Sequence, residues 1–200
     1  MMSESFIMHT IPCILFAGGK SSRMGENKAL LPFAGQSSLT KYQYERLQKL
    51  FQEVYIATKE PQLYNDIDAK FIDESDYLDL YAPTAGFVSA FKQLQNAKAL
   101  FVLSVDAPFV SETVIQAIND VDIDNYDAVI VKTPQGIHPM CGIYSRTLSE
   151  HLSTMIKEDN HKLGKLLKNS HVHYVEIENE DLLMNVNTPD EYQKALEKLG

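Results

Sequence analysis

Basic charge is in short supply in this 200-residue chain: 18 Lys and Arg stand against 27 Asp and Glu, a formal net charge of -9 at pH 7. A nucleic-acid backbone rewards a basic surface, so this deficit argues against DNA or RNA as a partner. It leaves room for a small anionic ligand, because a few local cations, backbone N–H groups and a metal ion reverse the field inside a cleft. Cysteine is equally scarce. Cys13 and Cys141 sit in apolar surroundings without metal-type spacing, and two buried thiols in a reducing compartment are expected, with a disulfide left open by sequence alone. Long apolar runs are missing too. Nothing approaches the ~20 residues of a membrane span. The stretch 11–16 is too short for a signal segment, and no Lys or Arg precedes it in the first ten residues. These absences predict a cytoplasmic protein with no membrane partner.

Hydrophobic residues make up 44% of the chain and charged residues 22%, an ordinary globular balance. No repeat, low-complexity tract or linker interrupts it, and the length suits a single domain over 1–200. Short apolar runs alternate with helical patterns. Strands are expected at 13–16, 54–57, 70–72, 100–105 and 128–131, with later ones near 142–144 and 171–177. The run 100–105 reads as a strand buried on both faces. Leu39, Tyr42, Leu47, Leu50 and Phe51 share one helix face, as do Phe87, Ala90, Phe91 and Leu94. Ser111 is a candidate N-cap for the helix bearing Val114, Ile115 and Ile118. Thr188-Pro189-Asp190-Glu191 has the form of a capping box with proline at the first helical position. Strand–helix alternation predicts a three-layer α/β sandwich with a mostly parallel sheet, in which ligands bind beyond the carboxyl ends of the strands.

The segment after the first strand is polar and glycine-rich: Ala17-Gly18-Gly19-Lys20-Ser21-Ser22-Arg23-Met24-Gly25-Glu26-Asn27-Lys28. Adjacent glycines let backbone approach a ligand closely, and their N–H groups suit phosphate oxygens. Arg23 supplies a forked donor and Lys28 a mobile point charge for a triphosphate. A Walker A loop is excluded because Glu26-Asn27 follows Gly25, and the dinucleotide fingerprint because Gly18-Gly19-Lys20 does not begin it. At the end of the fourth apolar run stands Asp106. A carboxylate at the mouth of an apolar strand is costly to desolvate unless paired or bound to a cation. Magnesium fits there, since it accepts one or two carboxylates and completes its shell with phosphate oxygens and water.

The segment from Phe16 to Leu30 resembles the L-A-G-G-x-S-x-R-M-G-x-x-K-A-L signature of the molybdenum cofactor guanylyltransferases, the MobA family, departing at Phe16 where leucine is usual. The resemblance runs from about Ile11 to Leu196. It implies a nucleotide-diphospho-sugar transferase (Rossmann-like) fold, with nucleotide contacts at Phe16, Ala17, Gly18, Gly19, Lys28, Asp73, Gly86 and Asp106. Ser104-Val105-Asp106-Ala107-Pro108-Phe109 is similar to the family's x-x-D-x-P-F motif, whose aspartate binds Mg2+, so the metal-ligand role falls to Asp106. Ala82-Pro83-Thr84-Ala85-Gly86 resembles G-P-L-A-G with changes at Ala82 and Thr84. Ala57 stands where some relatives carry a nucleotide-contacting asparagine. Loops like the one around His138 help form the acceptor side, and Asn185-Val186-Asn187-Thr188-Pro189 is a recurrent ending whose amides, Asn185 and Asn187, are candidates for the acceptor.

The resemblance therefore implies transfer of GMP from GTP to molybdopterin or molybdenum cofactor, with Arg23, Lys28 and Asp106 catalytic. Transient contacts with cofactor-delivering or cofactor-accepting proteins are compatible with it. Two other readings stay open: a cytidylyltransferase of the same superfamily, and a nucleotide-sensing protein without turnover. Lys157, His161, Lys162, Lys165 and Lys168 concentrate positive charge, as a solvated helical face or a docking surface for an anionic acceptor.

Overall fold

The computed structural model describes residues 8–18 and 27–199. Among these residues seven strands form one sheet in the order β3-β2-β1-β4-β6-β5-β7: β1 Cys13–Phe16, β2 Val54–Thr58, β3 Lys70–Asp73, β4 Ala99–Ser104, β5 Ala128–Thr133, β6 Gly136–Ser145 and β7 Val172–Glu176. Pairing is parallel except at β6, which runs antiparallel to both neighbours. Six α-helices of the described residues cover the faces: α1 Leu39–Leu47, α2 Pro83–Gln93, α3 Glu112–Asn119, α4 Ser149–Lys157, α5 Leu163–Lys168 and α6 Pro189–Glu197.

Strand alternation sorts the core into two layers. Cys13 and Leu15, Val54 and Ile56, and Phe101 and Leu103 point to one face, where Leu39, Leu47, Ile115, Ile118 and Ala195 of α1, α3 and α6 cover them. Ile14 and Phe16, Ala57, Leu100 and Val102 point to the other, against Phe87, Ala90, Leu152 and Leu166 of α2, α4 and α5. The result is the expected three-layer sandwich. Cys13 and Cys141 are buried free thiols, and burial pushes both pKa values up, that of Cys141 to about 12. No described helix is long and apolar enough to cross a membrane.

Local signals behave as their chemistry predicts. Ser111 Oγ accepts from the Val114 N–H at 3.3 Å, and Thr188 and Glu191 form the reciprocal capping box. Leu50 and Phe51 lie past the end of α1 but remain buried, with the Phe51 ring 4.8 Å from that of Phe101. The sixth strand departs from expectation. The segment 136–141 is expected as a loop ahead of a strand near 142–144, yet it belongs to ten-residue β6. A tight connection pairs Thr133 with Gly136, whose φ of +140° suits glycine. An irregularity between Ile130 and Val131 shifts the partner from Gly142 to His138, which accommodates a proline that cannot donate to the ladder.

Strand order reverses at β1: β2 and β3 build outward on one side and β4 on the other. The crevice above the carboxyl ends of β1 and β4 is therefore the topological switch point, where such sheets bind ligands.

Candidate active site

Three predicted residues from distant parts of the chain meet at that crevice. Lys28 Nζ donates to Asp106 Oδ2 at 2.6 Å and to Asn187 Oδ1 at 2.7 Å. The Lys28 and Asp106 side chains are only 18% and 17% exposed, so the ion pair is far less screened than a surface one. Each partner is held from behind. Asn27 caps the short 3-10 turn Lys28–Leu30 through the Ala29 N–H at 3.1 Å. Thr40 of α1 ties the same turn down by donating to the Ala29 carbonyl at 2.8 Å. Buried Gln43, one helical turn on, donates to the Ala107 carbonyl at 3.0 Å. Arg46 donates to Gln43 Oε1 and to the Val110 carbonyl, both at 2.6 Å. Helix α1 thus fixes both the Lys28 turn and the Asp106 loop.

The third partner arrives with the C-terminal segment. Val186 is fully buried, and its N–H donates to the Asp106 carbonyl at 2.7 Å. Glu191 then accepts from the backbone N–H of Asn187 and Thr188 at 2.7 and 3.0 Å. Asn-Val-Asn-Thr-Pro therefore does more than start α6: it holds Asn187 against Lys28. Asn185 is exposed.

Beside this cluster lies a pocket of about 180 Å³, lined by residues including Phe16, Ala17, Gly18, Lys59, Glu74, Tyr81 and Gly86. Lys59, just past β2, donates to the carbonyls of Tyr77, Leu78 and Leu80 at 2.5, 2.9 and 2.5 Å. It also lies 4.2 Å from the Tyr81 ring centroid. One ammonium thereby shapes the loop that forms the pocket rim. Glu74 is 7% exposed, and burial pushes its carboxyl up to about 7 against a weaker opposing pull from Lys59.

Gly86, in the first turns of α2, is required by packing. A Cβ there would stand 2.5 Å from Phe16 Cε1 and 3.4 Å from Glu74 Oε1. The Phe16 ring is backed by Phe87 at 5.1 Å between centroids, so it has little room to retreat. Gly86→Ala should cost about 1–3 kcal/mol of stability and weaken nucleotide binding about tenfold by displacing the ring. Thermal melting and equilibrium binding check this; an unchanged melt and affinity would show that the ring yields freely.

The remaining predicted residues are more dispersed. Ala17 and Gly18 line the pocket; Gly19 and Arg23 lie outside the described residues. Asp73 is exposed, and hydrogen bonding from Ser75 holds its carboxyl below the usual range. It does not line the pocket; Glu74, one residue later, does. Alternation explains the difference. Asp73 ends β3 on the face of Phe71, whereas Glu74 shares the face of Ile72, toward α2. His138 is half-buried in β6 with Nε2 3.1 Å from Thr133 Oγ1, and burial lowers its pKa against a weaker effect of Glu180. Lys157, Lys162 and Lys165 line a separate hollow between α4 and α5. His161 turns away from them, its Nδ1 2.7 Å from Thr84 Oγ1. Sequence reasoning missed Lys59, Glu74 and Tyr81. Glu74 was open to discovery, as a second acid after β3; Lys59 works through backbone carbonyls and leaves no motif.

The MobA-like NTP transferase domain family matches residues 13–175. A Campylobacter jejuni protein described as molybdenum cofactor guanylyltransferase is 33% identical over 192 residues, covering 96% of this chain and 98% of its own. The crystal structure of molybdopterin-guanine dinucleotide biosynthesis protein A from Archaeoglobus fulgidus shares the fold. Its TM-score is 0.79 at 22% identity, covering 94% of this chain and 98% of that one. A Mycobacterium tuberculosis protein solved in complex with manganese also shares it, with a TM-score of 0.69 at 19% identity over 94% and 99% of the two chains.

Proposed function

This chain belongs to the MobA-like NTP transferase family, and from that premise we propose that it transfers GMP from GTP to the terminal phosphate of molybdopterin or its molybdenum-loaded form. The observation that carries the reading is the convergence of Asp106 and Asn187 on Lys28 beside a nucleobase-sized pocket. A volume of about 180 Å³ is smaller than the roughly 300 Å³ that encloses a whole small-molecule ligand. It suits the base, leaving the triphosphate to lie over the β1–β4 crevice.

In this mechanism an oxygen of the acceptor phosphate attacks the α-phosphorus in line. The new O–P bond forms as the bond to the β-phosphate oxygen breaks, and pyrophosphate leaves with that electron pair. The acceptor is already ionised near neutral pH, so no general base is needed. Amides of Gly18 and Gly19 bind phosphate oxygens, while the Ala17 N–H stays on the Ala57 carbonyl, and Lys28 with Arg23 offsets the phosphate charge. Asn187 and the α1 network hold Lys28 in position. Among the described residues no cluster of three or more His, Cys, Asp or Glu is built for a metal. Lys28 engages Oδ2 of Asp106, and the carboxylate is a hard oxygen donor at the crevice, which fits a hard cation completed by phosphate and water. A bound Mg2+ would supply charge neutralisation on the phosphates. On the acceptor side, neutral His138 and exposed Asn185 offer hydrogen bonds to the pterin.

The reading places the protein in the cytoplasm, where its two unpaired thiols are stable, in brief contact with proteins that deliver or accept the cofactor. The test is pyrophosphate release from GTP, ATP, CTP and UTP, each with and without purified molybdopterin. Release should require the acceptor, and GTP should be preferred by about 100-fold. A preference for CTP would assign a cytidylyltransferase, and no release with any nucleotide would leave a sensing protein.

A further inference from the structure

We infer that His161 is a positioning residue for the nucleotide pocket, fixing the first turn of α2 through the Thr84 hydroxyl. The inference rests on the nucleotide-binding part of the reading above and adds a residue outside the pocket that sets its shape. Helix α2 supplies Pro83 and Gly86 to the pocket lining, with Ala82 just ahead of them. Ala82 is the N-cap and makes no side-chain bond to the first backbone N–H groups of the helix, a lack that ordinarily leaves a helix start loose. Thr84 follows and is fully buried, so its hydroxyl needs a partner. That partner is His161, whose Nδ1 lies 2.7 Å from Thr84 Oγ1.

His161 comes from the connection between α4 and α5 and arrives on a fixed support. Asp159 closes α4 with a left-handed φ of +51°. The Asn160 N–H donates to the Met155 carbonyl at 2.9 Å, and the Leu163 N–H to the His161 carbonyl at 3.1 Å. Met155 and Leu163 are buried in the same core layer as Phe87 of α2. Asp159 Oδ1 stands 3.0 Å from Nε2, which favours the tautomer with its N–H there and its lone pair at Nδ1, facing the Thr84 hydroxyl. Apolar contacts among α2, α4 and α5 hold α2 in place but are non-directional. The Thr84–His161 bond is directional and acts at the turn that borders the nucleotide.

The experiment measures equilibrium binding of GTP by the full chain, and kcat and KM with molybdopterin, in His161→Ala, His161→Asn, Thr84→Val and the double variant of His161→Ala with Thr84→Val. The His161 side chain is 21% exposed, so the alanine opens no sealed core. His161→Ala and Thr84→Val should each weaken GTP about fivefold, the worth of one hydrogen bond, and the double variant should be no worse than either. KM should rise while kcat stays within about twofold of wild type, the mark of lost binding and not of lost chemistry. His161→Asn, which presents an oxygen near the Nδ1 position, should recover most of the affinity. Wild-type affinity in His161→Ala, or losses that multiply in the double variant, would overturn the inference and leave the guanylyltransferase reading intact. Coupled losses of GTP affinity in a protein whose wild type releases no pyrophosphate would overturn the transfer reading and leave His161 in its role.

Discussion

Asp106→Ala is expected to lower kcat/KM for GTP by about 1,000-fold or more in a protein that still folds. The carboxylate stands at the carboxyl end of β4, in the crevice where the strand order reverses. Its backbone is fixed independently of its side chain, through the Val186 N–H and the Gln43 contacts on either side. Removing the carboxylate leaves Lys28 bonded to Asn187, so no charge is stranded without a polar partner. Lys28→Ala should cost about 100–1,000-fold. It leaves Asp106, 17% exposed, without this cation, which adds about 1 kcal/mol of instability. Because both act on the same phosphates, the double variant should be scarcely worse than the poorer single one. Asp106→Asn separates charge from shape: it retains an oxygen to accept from Lys28 but should be nearly as inactive as Asp106→Ala. Single-turnover rates with melting curves decide the matter, and near-wild-type turnover in Lys28→Ala and Asp106→Ala would remove the proposed site.

Much of this arrangement was legible in the sequence because local physics and global fold agree there. The β4 run carries apolar residues on both faces, as only a central strand does, and ends on one acid. Ser111 and the Thr188 capping box mark helix starts without tertiary help. What the sequence concealed depends on pleat phase and long-range contact. Whether Asp73 or Glu74 enters the pocket turns on a single residue of strand phase, which a four-residue β3 flanked by two acids does not reveal. His138 and Pro139 are expected in a loop, and the irregularity that admits Pro139 to a strand is a property of the β5–β6 pairing. Asn187 reads equally as helix entry or ligand; only the Val186 anchor to Asp106 brings it to Lys28.

Glu74→Gln should make the ligand-free protein more stable at pH 8 than wild type, by about 3 kcal/mol, and leave it equally stable near pH 4.5. The folded carboxyl titrates at about 7 because burial penalises its charged form, against 4.5 when unfolded. Below 4.5 both states are protonated and the group contributes nothing to the pH dependence. Between 4.5 and about 7 the folded state keeps a proton that the unfolded state has released, so stability falls as pH rises through that window. Above about 7 the full cost of an ionised buried carboxylate applies, about 3 kcal/mol for that gap. His9 and His138, whose pKa values burial lowers, act in the opposite direction, since their neutral folded forms lose stability as pH falls. They are common to both proteins, so the wild-type minus variant difference isolates Glu74. Urea unfolding from about pH 4.5 to 8 measures it, and a difference that stays flat across the range would mean that water reaches the carboxylate in solution.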